Sequence, residues 1–216
     1  MLTKQYRNLA WYLRRHGIRS LLQRIWGEVA TNINNKEYLY LIDLAYPLVN
    51  SNQQQCLRIE SHTTWNSIPN EDILQLEIYK SRERIKHFLN RNFDRKGTLW
   101  LVKKEDLLIG LEWTFLGGLN GFYSLPVSPR EAIILAVEVF PEFRGKGYWP
   151  NIAMLTFNKL KNQGITRIYL KTHVSNRPMQ ASMRKVNCQV IGLVRTFSIG
   201  KKYLTIWDKD SLWQDS

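Results

Sequence analysis

Ala132 to Val137 is an unbroken apolar run. Soon after it the chain passes Pro141, turns through Arg144-Gly145-Lys146-Gly147 and enters a helical pattern at about Tyr148. Such a run suits a strand buried on both faces, as the centre of a covered sheet requires. Pro150 falls in the first turn of the helix, where a missing N–H costs little because the first helical amides have no intrahelical acceptor. The helix runs to about Gln163 and is stopped by Gly164. A buried strand leading straight into a basic turn and a helix constrains the rest of the chain: it predicts a layered α/β domain.

The same turn carries the chemistry. Free amides at a helix start, added to the helix dipole, make a site for phosphate. Gly145 and Gly147 lack Cβ, so an anion can approach the backbone closely, and Arg144 and Lys146 add positive charge. The expectation is a pyrophosphate cradle at the end of a central strand. The larger G-x-x-x-x-G-K-[ST] spacing and the G-x-G-x-x-G fingerprint are both absent, so neither a nucleotide-triphosphate loop nor a dinucleotide fold is implied.

Around this segment, Tyr38 to Leu44, Cys56 to Ile59, Thr98 to Val102 and Leu107 to Phe115 read as strands, with a turn at Lys104-Glu105-Asp106. Asn70 is a plausible N-cap for a helical pattern that continues to about Asn90. Arg167 to Thr172 reads as a strand, Arg177 to Val186 as a short helix, and Val190 to Ser198 and Lys201 to Trp207 as closing strands. Gly117 to Arg130 is a loop rich in Gly, Pro and Ser. The fold class expected is α/β (α+β), with a mixed, mainly antiparallel central sheet and flanking helices.

Residues 1–35 form a separate expectation: a basic amphipathic helical extension before a domain spanning 36–216. No acidic residue occurs from Met1 to Gly27, and the stripe Ile18, Leu21, Leu22, Ile25 and Val29 faces away from Arg19 and Arg24. Two readings stand, docking of residues 1–30 on an anionic membrane or packing on the following domain. The full chain of 216 residues carries 31 Lys and Arg against 18 Asp and Glu, a net +13. Such a surface attracts anions of several kinds and does not choose among them. The two cysteines, Cys56 and Cys188, suggest reduced packed thiols rather than a disulfide framework. No stretch reaches the apolar length of a membrane span, and the arginines of the first segment break any secretory signal. A cytoplasmic setting follows as the expectation, with a membrane face as the variant of it.

Val139-Phe140-Pro141-Glu142-Phe143-Arg144-Gly145-Lys146-Gly147, followed by a helix, resembles the central motif of the GNAT superfamily of acyl-CoA N-acyltransferases. The second matching element is a strand to Thr172, then Asn176, then a helix. Two departures stand out. Glu142 takes a position where the family signature has Gln or Arg, and Met183 one where relatives often have Tyr. Trp149 also replaces a commonly small residue, and Asn187 stands where Gly is usual and can take the same left-handed cap.

The resemblance implies a ternary-complex transfer from acetyl-CoA lying where the strand ending at Phe140 splays from the strand ending at Thr172. The backbone near Val137, Glu138 and Val139 would pair with the pantetheine, and the Val139 amide would polarise the thioester carbonyl. Amides from Arg144, Gly145, Lys146 and Gly147 to Tyr148 and Trp149 would hold the pyrophosphate, and Asn176 would contact the pantetheine arm. The acceptor implied is a small amine, with an amino sugar among the candidates.

Glu138 ends an apolar run, so it either accepts the proton of the attacking amine or sits in an ion pair. Glu131 and Glu112 are lesser candidates for the same work, and His173 follows a strand on the cleft side. His16, His62 and His87 have no companions at metal-ligand spacing, so no metal is expected. The eight tryptophans are scattered through apolar patterns and read as packing residues, so nucleic acid is not the expected partner. Two other functions remain open: transfer of a longer acyl chain from acyl carrier protein, and a non-catalytic acyl-CoA-binding or membrane-docking module. Oligomeric state is not written in the residues.

Overall fold

A computed structural model describes residues 36–47, 57–117, 125, 127–199 and 202–208. The expectations for residues 1–35, for Cys56 and for loop residues 118–124 and 126 lie outside these. The described strands are β1 (Lys36–Asp43), β2 (Leu57–His62), β3 (Gly97–Lys104), β4 (Leu107–Leu116), β5 (Glu131–Val139), β6 (Arg167–His173), β7 (Gln189–Ile199) and β8 (Lys202–Asp208). The helices are α1 (Asn70–Glu77), α2 (Arg82–Phe93), α3 (Tyr148–Asn162) and α4 (Arg177–Lys185). None of these helices is long and apolar enough to cross a membrane.

All eight strands join one sheet in the order β2-β3-β4-β5-β6-β1-β7-β8. Alternation along β3 divides it into two faces. Trp100 and Val102 pack with Trp149, Ile152 and Phe157 of α3, whereas Leu99 and Leu101 pack with Ile73 of α1 and Leu89 of α2. The sheet is therefore covered on both sides, as the apolar run of β5 required. Every pairing is antiparallel except β5 with β6.

That one parallel pairing is short. It covers Glu131 to Ile133 against Arg167 to Tyr169, and beyond it the strands part. A register shift against β4 falls at the same level, between Leu111 and Trp113, and Ala136 takes a φ of 51°. β5 thus carries one extra residue and bends away from β6. This corrects the expectation of a strand buried on both faces throughout: Glu131 to Ile134 are buried, but Ala136 is exposed and Val137 to Val139 are only half-buried. The sequence run is apolar because its second half lines a cleft. Past the bulge β4 and β5 lie very close, since a Cβ on Gly110 would come within 2.5 Å of the Glu138 carbonyl oxygen.

A second correction concerns the helix expected from Asn70 to Asn90. It is two helices, α1 and α2, broken at Ile78–Ser81, and Pro69 rather than Asn70 occupies the cap of the first. Helical spacing of apolar residues continues across the break, so the pattern alone could not show it. The other caps follow the local chemistry. Gly164 (φ 83°) ends α3 and Asn187 (φ 61°) ends α4. In each case a 6→1 backbone bond closes the turn, from Ile165 to Leu160 at 3.1 Å and from Cys188 to Met183 at 3.1 Å.

Candidate active site

The turn between β5 and α3 has the form a cradle needs. Gly145 (φ 75°) and Gly147 (φ 72°) are both left-handed, and a Cβ built on either would meet nothing within 4 Å. Their open sides face a cleft of about 720 Å³, also lined by Val137, Val139, Tyr148, Trp149 and Asn176. Tyr148 and Trp149 begin α3, so their amides have no intrahelical acceptor, and Pro150 has no amide to satisfy. Lys185 of α4 stands on the opposite wall.

Phe140 donates to the Ile109 carbonyl of β4 at 2.9 Å. The next pair back, Val139 with Gly110, is then a non-hydrogen-bonded pair, and the Val139 N–H and C=O turn away from β4. The carbonyl is taken by Arg144 Nε at 2.8 Å. Asn176 caps α4 by accepting from the Met179 amide at 3.2 Å, which leaves its side-chain N–H₂ as the part free to donate. The residues singled out in the sequence for cofactor binding are thus gathered at one cleft, except Lys146, which lies in the turn but not on the cleft wall.

Glu138 points to the other face of the sheet. Its Oε2 lies 3.4 Å from Lys80 Nζ in the turn between α1 and α2. There it closes a small apolar pocket of Leu76, Ile85, Phe88, Leu89, Leu111 and Phe140. Among the described residues, Glu138 is the one shared by that pocket and the large cleft.

Residues 64–187, more than half of the chain, match the family model of the acetyltransferase (GNAT) family. The chain belongs to the GNAT family. No curated protein matches it in sequence. Among solved structures, a GCN5-related N-acetyltransferase from Sphaerobacter thermophilus is 13% identical, with a TM-score of 0.51, and the alignment covers 90% of this chain and 57% of that one. A glucosamine N-acetyltransferase region of a fungal multi-domain GH3 β-N-acetylglucosaminidase is 15% identical, with a TM-score of 0.53, covering 74% and 20%. An acetyltransferase of the GNAT family from Novosphingobium aromaticivorans is 14% identical, with a TM-score of 0.45, covering 73% and 62%. The chain spans less than two thirds of the length of each of these proteins, and at such identities the likeness is one of fold.

Within the GNAT fold, the two departures seen in the sequence have physical settings. Glu142 turns away from the cradle and accepts from Tyr79 OH at 3.0 Å, while the Tyr79 ring stacks on Phe140 at 4.2 Å between centroids. Met183 is fully buried under the cleft. Glu131 is at the far end of β5, where it accepts from the Ser128 amide at 2.8 Å and pairs with Arg167 at 3.5 Å. His173 accepts from Ser175 at the end of β6, 2.6 Å from its hydroxyl.

Two features of this GNAT domain were not visible as such in the sequence. Glu112 of β4, opposite the bulge, is completely buried, and burial pushes its carboxyl up to about 7. The Thr156 hydroxyl of α3 eases that shift slightly, without forming a well-shaped hydrogen bond. The other is a cluster of Glu60, His62 and Asp72, whose ligand atoms lie within 4.8 Å of one another. This corrects the expectation that His62 has no companions, since the fold brings Glu60 and Asp72 to it from positions that spacing did not reveal. Lys103 is the buried cation of the cluster, 2.8 Å from Asp72 and 3.1 Å from Glu60, and Arg58 pairs with Glu60 from outside at 2.9 Å. Burial opposes the charge of Lys103, and the two carboxylates outweigh burial, holding the ammonium above the ordinary lysine value.

Proposed function

We propose that this GNAT chain transfers an acetyl group from acetyl-CoA to a small primary amine by direct attack in a ternary complex. The observation that carries the reading is the position of Glu138, which lines both the donor cleft and the apolar pocket, with its carboxylate against Lys80 beside α1 and α2. Acetyl-CoA fits the open glycine turn, the unpaired amides at the start of α3 and the basic side chains around them.

Glu138 accepts the amine proton, directly or through one water, which frees the nitrogen lone pair to attack the thioester carbonyl. The C–N bond forms, the C–S bond breaks and CoA leaves as thiolate. The Val139 amide, turned to the cleft, donates to the carbonyl oxygen as charge develops on it. Val137, beside the bulge, offers a second amide along the same line. Arg144 holds the Val139 peptide in place, and Asn176 donates to the pantetheine arm. Lys80 holds the Glu138 carboxylate in place until the amine arrives.

The reading sets the reaction in the cytoplasm, with residues 1–30 as the feature that would bring the protein to an anionic membrane. Its partners are small molecules rather than nucleic acid. The test is mass spectrometry of an amine panel, amino sugars included, incubated with labelled acetyl-CoA. The reading expects labelled amide and free CoA in equal amounts. Bound acetyl-CoA with no amide from any amine would favour a non-catalytic binding module instead.

A further inference from the structure

At the level of the bulge the donor cleft adjoins a chamber of about 260 Å³ that opens because β5 and β6 part after Ile133 and Tyr169. Val137, Asn176 and Met179 line both spaces, so the two adjoin at these residues. The inner end of the chamber is apolar and deeply buried, with Ile134, Leu170 and Met183 all at 2% exposure or less. Of its polar lining residues, Thr172 is buried, while Glu37, Lys171, His173 and Asn176 are more exposed.

We propose that the buried end of this chamber is an acyl-chain pocket, and that the preferred donor is a straight-chain acyl-CoA of about four to six carbons. The inference rests on the reading of the cleft as an acyl-CoA site with its thioester near Val137 and Val139. At about 30 Å³ for a water-sized group, the chamber has room for about eight such groups. The methyl of an acetyl group fills one of them. The rest would be water held against Ile134, Leu170 and Met183, which offer it no hydrogen bond. A longer chain replaces that water with apolar contact. Met179 and Met183 suit the task, because unbranched thioethers adapt to chains of different length. The reaction is otherwise unchanged: an amide forms, a thioester breaks, and the amine proton goes to Glu138.

Calorimetry on the full chain, without acceptor, tests this with CoA, acetyl-CoA, butanoyl-CoA and hexanoyl-CoA. Because the cradle contributes equally to all four, chain length is read by the chamber. Each methylene removed from water is worth about fourfold. Hexanoyl-CoA, with four more methylenes, is expected to bind about 100- to 250-fold more tightly than acetyl-CoA. Equal or falling affinity along the series, with CoA itself bound, overturns the proposal and leaves the cleft reading standing. No binding of any of the four overturns both. Met183→Phe narrows the chamber and is expected to weaken hexanoyl-CoA more than acetyl-CoA. An advantage for hexanoyl-CoA that survives in the folded variant also overturns the proposal. If that variant does not fold, the wild-type series decides.

Discussion

Arg144 Nε donates to the Val139 carbonyl at 2.8 Å, reaching back across the turn that leaves β5. A side chain that composition would assign to phosphate is used to fix a peptide. With that carbonyl held, the Val139 amide stays aimed at the cleft and the glycine turn stays closed on the strand. Arg144→Met is expected to lower acyl-CoA affinity about tenfold, the scale of one charged hydrogen bond at a half-open site. Arg144→Lys should restore only part of it, since an ammonium lacks the planar fork. Unchanged affinity in the Met variant, by calorimetry, would make the contact incidental.

The glycine turn makes a sharper prediction. Asp tolerates the left-handed conformation of Gly147 at a cost of about 1 kcal/mol, so Gly147→Asp should fold. Its side chain would enter the open space beyond the Cα, where it would both fill the cradle and repel a pyrophosphate. Acetyl-CoA affinity is expected to fall by at least about 100-fold, a like-charge penalty in a partly desolvated site. Native circular dichroism with unaltered binding would remove the turn from the account.

These two residues also show what was legible and why. The strand, turn and helix around Arg144 and Gly147 depend on local chemistry, namely a proline in the first turn, left-handed glycines and an apolar run, and all of it can be read in order along the chain. The break between α1 and α2 was not legible, because Ile78 and Ile85, seven residues apart, keep helical spacing across it. What places Tyr79 and Lys80 in that break is their contacts with Glu142 and Glu138, which are remote in sequence. The bulge at Ala136 was hidden for a similar reason: only the partner strand's register reveals an extra residue. Glu112 was read as one carboxylate among several, and its complete burial follows from α3 covering β4.

Glu112 gives a prediction about stability. Its folded value of about 7 lies above the ordinary 4.5, so between those values the native state binds more protons than the unfolded one. Stability is then highest below the unfolded value and falls as pH rises through about 7. The loss attributable to this group is about 3 kcal/mol. Urea unfolding at pH 5 and pH 8 checks it against Glu112→Gln, which should remove most of the difference. A variant with the same pH dependence as wild type would show that Glu112 does not titrate in this way.

Proton traffic in the reaction has its own signature. Met183 is fully buried and its thioether has no proton to give to a leaving thiolate. The pH profile of kcat/KM is expected to rise to a plateau as the amine loses its proton, with no falling limb from a side-chain acid. A clear fall at high pH, in a range where the protein stays folded, would point to a proton donor outside this account.

The central claim is that Glu138, which lines both cavities, takes the proton of the attacking amine. Glu138→Gln keeps the size and polarity of the side chain and removes the base. With an acceptor identified from the amine panel, kcat is expected to fall about 10²- to 10⁴-fold while acetyl-CoA affinity stays within about twofold. Activity within a few-fold of wild type would contradict the claim, leaving Glu138 as no more than the ion-pair partner of Lys80.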